Sequence, residues 1–378
     1  MGMLKNLASK VHKIIGLGSG LVVFIVCITG SIYTFKKEVN DSMPYVSVKA
    51  INKQKLELSA LVTKFKAYSD APIIRIYDFQ SAKKSVRIMS SKQGEKHLTY
   101  LNPYTGEILK DYKDKSSFWG IILGLHRHLL LPNPIGKQII GYCVILFSIS
   151  LLTGLILWFP KKISMLKDKP FRNVKLSLRG KAQTFRLHSN LGLYLIIPLL
   201  ISCTTGLVWT FPKYEKFIYS LIDPGYKKEI KNIHLVEGNF QEISLNKIKT
   251  HLDTLNSDNI GLNIFFIPQK SDSPIRVISC IDDDRFGFAH NYYAHPVTGE
   301  ILDTISDTKR SAAQKLKSLN YDIHTGSLGG ILGKIFVFAL SLLGASLPLS
   351  GYLLFLKKQL KKIQFQQLQS NKRNCKYF

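Results

Sequence analysis

Four apolar runs constrain this chain more than any motif in it. Ile14–Phe35, Ile139–Phe159, Leu191–Phe211 and Ile335–Leu356 are each 21 or 22 residues long and carry no charge. A helix needs about 20 apolar residues to cross the hydrocarbon core of a bilayer. Buried helices of soluble domains rarely run so far without a charged side chain. The mean hydropathy of the whole chain is only +0.06, so the apolar residues are concentrated in these runs. The first run is longer than the apolar core of a signal peptide, and no A-x-A cleavage site follows it. It reads as a retained anchor.

The basic residues give the orientation. Residues 1–13 hold three Lys and no acid, residues 160–190 hold nine Lys/Arg and only Asp168, and residues 357–378 hold seven Lys/Arg and no acid. The positive-inside rule places both termini and the 160–190 loop in the cytoplasm of a bacterial inner (plasma) membrane protein. The connectors 36–118 and 212–320 then lie outside, with net charges of +7 and zero. The formal net charge of +27 therefore reports topology and contact with the anionic lipid bilayer. Nucleic acid, the other partner so basic a chain suggests, is set aside because the basic residues flank the spans. Of the five cysteines, Cys27, Cys143 and Cys203 fall in spans and Cys375 in the tail, which leaves Cys280 alone outside and no disulfide framework. No C-x-x-C-H is present for covalent haem attachment.

The chain also repeats itself. Tyr100-Leu-Asn-Pro-Tyr-Thr-Gly-Glu-Ile-Leu109 matches Tyr293-Ala-His-Pro-Val-Thr-Gly-Glu-Ile-Leu302 at seven of ten positions. Before each motif lies a helical pattern, 55–67 and 242–255, and then alternating strand-like runs. These are Ile73–Phe79, Ser85–Met89 and His97–Leu101 in one copy, and Asn263–Ile267, Ile275–Ser279 and Phe286–Tyr293 in the other. Each segment reads as one helix on a small antiparallel sheet.

The spans repeat too. Gly30 and Gly206 each follow a histidine, His12 and His188, by 18 residues, and Gly154 and Gly351 follow His126 and His324 by 28 and 27. The expected fold is an α-helical membrane protein with four transmembrane helices in two parallel repeats, plus two small α+β external domains. The expected segments are helix 1 in 1–35, the first external domain 36–118, a pre-helix segment and helix 2 in 119–160, and the basic loop 161–190. Helix 3 in 191–211, the second external domain 212–320, helix 4 in 321–356 and the basic tail 357–378 complete the order.

Four of the ten histidines sit at equivalent places in the repeat. His12 and His188 mark the cytoplasmic ends of spans one and three, and His126 and His324 precede spans two and four on the external side. An ionisable side chain near a span is a candidate functional site, although a single interfacial histidine often has no role. Histidines from different helices suit the two axial positions of b-type haem, each with its second ring nitrogen fixed by an acceptor. The expectation is two haem b per chain, with all four histidines as iron ligands and one haem near each face of the bilayer. Gly16, Gly18, Gly20, Gly192 and Gly154 would let a porphyrin approach the backbone, although small residues also serve plain helix packing. A compact Zn or Cu site is disfavoured, because histidines on opposite faces cannot converge on one ion. Of His126 and His128, His126 is preferred because it aligns with His324. Arg127 is the candidate for a haem propionate, with ordinary solvation as the alternative. His97, His234, His251, His290 and His295 carry no constellation.

At this point the residues resemble a known family. The Tyr-x-x-Pro-x-Thr-Gly-Glu-Ile-Leu motifs are similar to the ends of PepSY domains. Leu125-His-Arg, the Trp158-Phe-Pro-Lys-Lys exit and the Leu353-Leu-Phe-Leu-Lys-Lys exit resemble the PepSY-associated transmembrane helix family over about residues 8–362. The second copy departs from the pattern with Ile323-His-Thr. The resemblance implies two PepSY-like external domains and an inner-membrane, haem-binding reductase. Its partners would be a ferric siderophore and a cytoplasmic or quinol electron donor. Two other classes stay open at this stage: a non-redox protein whose PepSY-like domains bind or regulate periplasmic partners such as peptidases, and a transporter, which the acid-free spans disfavour. No hydrolase or nucleotide site is visible.

Overall fold

A computed structural model of the chain describes residues 2–51, 53–159, 180–226, 244–255, 260–269, 273–283, 285–305 and 310–374. Asp168, His234, Cys375 and most of the basic loop lie outside the described residues. The elements in order are α1 (Gly2–Thr34), α2 (Lys36–Asp41), α3 (Leu58–Tyr68), β1 (Ile73–Phe79), β2 (Val86–Lys92), β3 (Glu95–Leu101), β4 (Ile108–Lys113), α4 (Phe118–His128), α5 (Ile135–Trp158), α6 (Lys181–Thr210), α7 (Pro212–Ser220), α8 (Leu245–Leu255), β5 (Leu262–Phe266), β6 (Ile275–Cys280), β7 (His290–Ala294), β8 (Ile301–Ile305), α9 (Ala312–Thr325) and α10 (Gly330–Asn374). They fall into two compact units. One comprises Met1–Ile32, Leu123–Phe211 and Phe336–Phe378, and the other Tyr33–Ile122 and Pro212–Ile335.

The first unit contains the long apolar helices. α1, α5, α6 and the region Ser327–Gln367 are long and apolar enough to cross a membrane. The helices outrun the apolar runs: α1 begins at Gly2, α6 begins at Lys181 inside the basic loop, and α10 carries the basic tail on as helix to Asn374. Pro198 lies within α6 and Pro348 within α10. Packed spans tolerate such prolines because neighbouring groups satisfy the freed carbonyls. α5 meets α6 at Gly141, where a Cβ would lie 2.5 Å from Thr210 Cγ2 and 2.6 Å from the Phe211 ring. Only glycine lets those backbones come so near.

The second unit is a sheet with helices. Each repeat predicts a small sheet of its own, and the eight strands among the described residues instead form one sheet in the order β4-β3-β2-β1-β5-β6-β7-β8, all antiparallel. β1 joins β5, with Ile76 opposite Phe265 and Tyr77 opposite Ile264. The pairing removes an edge from each half, and an unpaired edge is a liability in any sheet. β4 and β8, which begin at the Ile-Leu of the two repeated motifs, are the outer strands. The period-2 alternation sends Ile76, Val86, Ile88, Phe265, Ile275 and Val277 to one face, where they pack on Leu61 and Phe65 of α3 and Ile248 and Leu252 of α8. Tyr77, Met89, Tyr100, Ile264 and Cys280 form a second core on the opposite face.

The two Pro-x-Thr-Gly turns are built alike. Asn102 N–H donates to the Glu107 carbonyl and His295 N–H to the Glu300 carbonyl, at 2.9 and 2.8 Å. Gly106 and Gly299 take φ of +71° and +76°, a region that favours glycine. Asn102 Oδ1 accepts from Tyr104 N–H, and His295 Nδ1 faces the N–H groups of Val297 and Thr298. His295 is thus a turn-capping residue, which explains why asparagine can replace it in the other copy.

Candidate functional site

In the first unit His12 on α1 and His188 on α6 face each other, with ring centroids 6.0 Å apart and ring planes at 82°. They open on a cavity of about 430 Å³, within the roughly 300–1,000 Å³ of cofactor pockets. Its lining includes Gly16, Gly20, Gly154, Gly192 and Gly351. Sequence reasoning named four of these as room for a flat ligand. Gly18, also named, does not line it and has nothing within 4 Å of a Cβ position.

Each histidine is fixed from behind. His12 Nδ1 lies 2.9 Å from the Ser150 carbonyl, with Thr153 Oγ1 at 3.2 Å. A carbonyl only accepts, so this Nδ1 carries the proton and Nε2 keeps its lone pair. His188 Nδ1 lies 2.8 Å from Ser350 Oγ, beside the Leu347 carbonyl. Ser350 Oγ already donates to the Ser346 and Leu347 carbonyls, at 2.7 and 3.0 Å. Its hydroxyl therefore accepts from His188, and the same tautomer follows. Both Nε2 lone pairs are left for a ligand.

A recurring device seats these rings. On the helix facing His12, the accepting carbonyl is Ser150 and a glycine follows four residues on. A Cβ on Gly154 would lie 3.3 Å from His12 Cε1. Facing His188, the carbonyl is Leu347 and the glycine is Gly351, 3.6 Å from His188 Cε1. His126 on α4 has the same surroundings: its Nδ1 lies 2.9 Å from the Val26 carbonyl, and a Cβ on Gly30 would come within 3.0 Å of Cε1. Residues i and i+4 share one helix face, so the carbonyl and the gap sit together. The sequence marked Gly30, Gly154 and Gly351 as repeated, but only the fold says which ring each accommodates.

The separation of His12 and His188 tests what they could hold. Two imidazole–metal bonds of about 2 Å each, plus a ring radius of about 1.1 Å at either end, place the centroids about 6 Å apart. The observed 6.0 Å, the two free Nε2 lone pairs and the glycine-lined cavity fit a bis-imidazole metal macrocycle. Among the described residues, no three His, Cys, Asp or Glu side chains gather as a metal site, so a closed tetrahedral centre has no ligand set there.

The remaining candidates are placed as follows. His126 ends α4 together with Arg127, which is exposed, and His128. His128 Nδ1 is buried with no hydrogen-bond partner among the described residues, so the accepting carbonyl distinguishes His126 from its neighbour. The chain leaves α4 through Leu129 and Leu130 at φ of +54° and +57°, a strained backbone of the kind that clusters at functional sites. His324 lies in the second unit, half-buried in the last turn of α9. Buried Asp322 anchors that helix by accepting from the N–H groups of Phe286 and Gly287, at 3.1 and 2.8 Å. His251 Nδ1 bonds the Gly299 carbonyl at 2.7 Å and His290 stacks on Tyr292; both serve the sheet.

The sequence profile of the PepSY-associated TM region matches residues 9–358. The chain belongs to this family. With four helices among the described residues long and apolar enough to span a bilayer, this PepSY-associated protein is a multi-pass membrane protein. Comparison with curated proteins gives no match. The family match covers His12, His126, His188 and His324 alike.

Proposed function

We propose that this protein binds haem and carries electrons across a bacterial inner membrane, where it reduces a ferric siderophore in the periplasm and so releases its iron. The observation that carries the reading is the facing pair His12 and His188, 6.0 Å apart over a cavity of about 430 Å³. In this reading both termini are cytoplasmic, the segments 36–118 and 212–320 form external PepSY-like domains, and the spans form two parallel repeats.

Bound haem b, two per chain, would supply one-electron iron centres. The inner one belongs to His12 and His188. The Ser150 carbonyl and the Ser350 hydroxyl hold each Nδ1 proton, which would leave the basic Nε2 of each ring to ligate the iron. The outer one is assigned by the sequence repeat to His126 and His324, with Arg127 for a propionate. The Val26 carbonyl gives His126 the tautomer that ligation needs. The electron comes from a cytoplasmic donor or the quinol pool. At the external side one electron converts the substrate Fe(III) to Fe(II), which hard oxygen donors hold less tightly.

The test is an absorption spectrum of the protein purified in mild detergent, oxidised and dithionite-reduced, with haem counted per chain. The expected result is a bis-histidine b-type spectrum near two haems per chain. A colourless protein from cells grown with excess haem overturns the reading and leaves a partner-binding role for the PepSY-like segments.

A further inference from the structure

The cavity between His12 and His188 has two unlike ends. At one end its lining includes Leu17, Gly20, Phe147 and Pro348, and at the other Lys13, Lys181 and Lys358. The helices bring these lysines together. α6 and α10 run antiparallel, because His188 meets Ser350 while Thr184 meets Lys357. Lys181 lies seven residues before His188, and Lys358 seven residues after Gly351. Seven residues are two turns, about 10.5 Å, and on antiparallel helices the two offsets lead to the same end. α1 is also antiparallel to α10, since Leu17 bonds Tyr352 and Gly20 faces Pro348, so Lys13, four residues before Leu17, lies toward the Lys358 end of α10.

The three lysines are exposed at the mouth. The whole sequence of this unit contains a single acidic residue, Asp168. Its own carboxylates therefore cannot balance the mouth. A ligand that matches the cavity is flat, apolar along one edge and anionic along the other.

We propose that Lys13, Lys181 and Lys358 position the cofactor of this cavity in one orientation, by pairing with the two carboxylates on one edge of the porphyrin. The proposal rests on the haem reading of the His12–His188 pair. The apolar edge would then lie toward Phe147 and Pro348, and the carboxylate edge toward the three exposed lysines, where water and a donor can reach it. The lysines act on orientation and retention, and the histidines on ligation.

The test uses the full-length protein from haem-deficient cells, in detergent, with His126→Ala so that the His12–His188 site alone reports. It is titrated with haem and with haem dimethyl ester, whose carboxylates are masked. The protein is expected to bind haem about tenfold more tightly than the ester, the scale of two exposed ion pairs. K13Q/K181Q/K358Q is expected to bind both equally, at the affinity the ester already shows. K13R/K181R/K358R, which keeps the charge, is expected to restore the preference for haem. Lys5→Gln is the control, because Lys5 bonds the Phe159 carbonyl and does not line the cavity. Equal binding of haem and ester by the protein with its lysines intact overturns the proposal, even where the triple variant fails to assemble. So does a triple glutamine variant that keeps the preference. Binding of neither compound defeats the haem reading itself.

Discussion

In the sheet unit, Phe65, Ile248, Leu252 and Phe265 are sealed, with no measurable exposure, between two helices and an eight-stranded sheet. In the membrane unit, five glycines and two histidines line an open cavity of about 430 Å³. One chain thus fills one interior and leaves another hollow. The glycines explain the contrast. Gly154 and Gly351 stand where a Cβ would touch His12 and His188, while Gly18, on the same helix as His12, touches nothing. A glycine in a helix costs about 0.5–1 kcal/mol relative to alanine. Where its absent side chain gives a ring its place, that cost is matched by a fixed imidazole. The hollow is therefore specific to the two rings, and loose packing does not account for it.

The strongest way to break this comparison is His12→Ala or His188→Ala. On the proposed haem reading, either is expected to remove about one of two haems per chain, counted as pyridine haemochromogen, and to leave the sheet unit folded. Loss of the sheet along with the haem would mean that the two interiors depend on each other. Phe265→Ala attacks the opposite side. It should cost about 3–5 kcal/mol in the sheet core, read by hydrogen exchange over residues 245–255, with the bis-histidine spectrum unchanged.

Ser350→Ala sharpens the account of the hollow. It removes the hydroxyl that accepts from His188 Nδ1. Losing such a supporting group costs about 10–100-fold in affinity, and haem titration should show a loss in that range. Gly154→Ala is expected to displace His12 by a few tenths of an ångström and to shift the reduced spectrum. Gly18→Ala should leave it unchanged, and equal effects from the two would remove the glycines' specific role.

The smallest effect belongs to the sheet unit. Asp41 pairs with Lys37 and Lys84, each at 2.9 Å. Burial alone would raise its carboxyl, and the hydrogen bonds and charges of Lys84 and Lys37 outweigh it and hold the carboxyl below the usual value of 3.8. A carboxylate with a lowered folded-state pKa stabilises the fold above its unfolded pKa, and that contribution is lost as the pH falls through the folded one. The melting temperature of the sheet unit should fall between about pH 5 and pH 2, less steeply in Asp41→Asn.

Much of the fold was legible in the sequence because hydropathy and period are local. The length of an apolar run fixes a span, as at Ile139–Phe159 within α5, and alternation fixes a strand, as at Ile73–Phe79. The Thr-Gly turns at 105–106 and 298–299 were legible for the same reason, since the turn demands a positive φ of its own glycine. The four repeated histidines could be singled out by position.

What the sequence did not determine is which groups meet. Nothing local tells β1 to pair with β5, because either strand could have remained an edge. Nothing local tells the Ser150 carbonyl to take His12, or Gly154 to make room for it. The partners are 138 residues apart for His12 and Ser150, and 162 apart for His188 and Ser350. Contacts at such separations depend on the helix crossings. The sequence by itself determined the spans, the strands and the candidate rings. Only the tertiary structure decided that two of those rings lie 6.0 Å apart beside one cavity, because that distance belongs to the packing of four helices and to no segment alone.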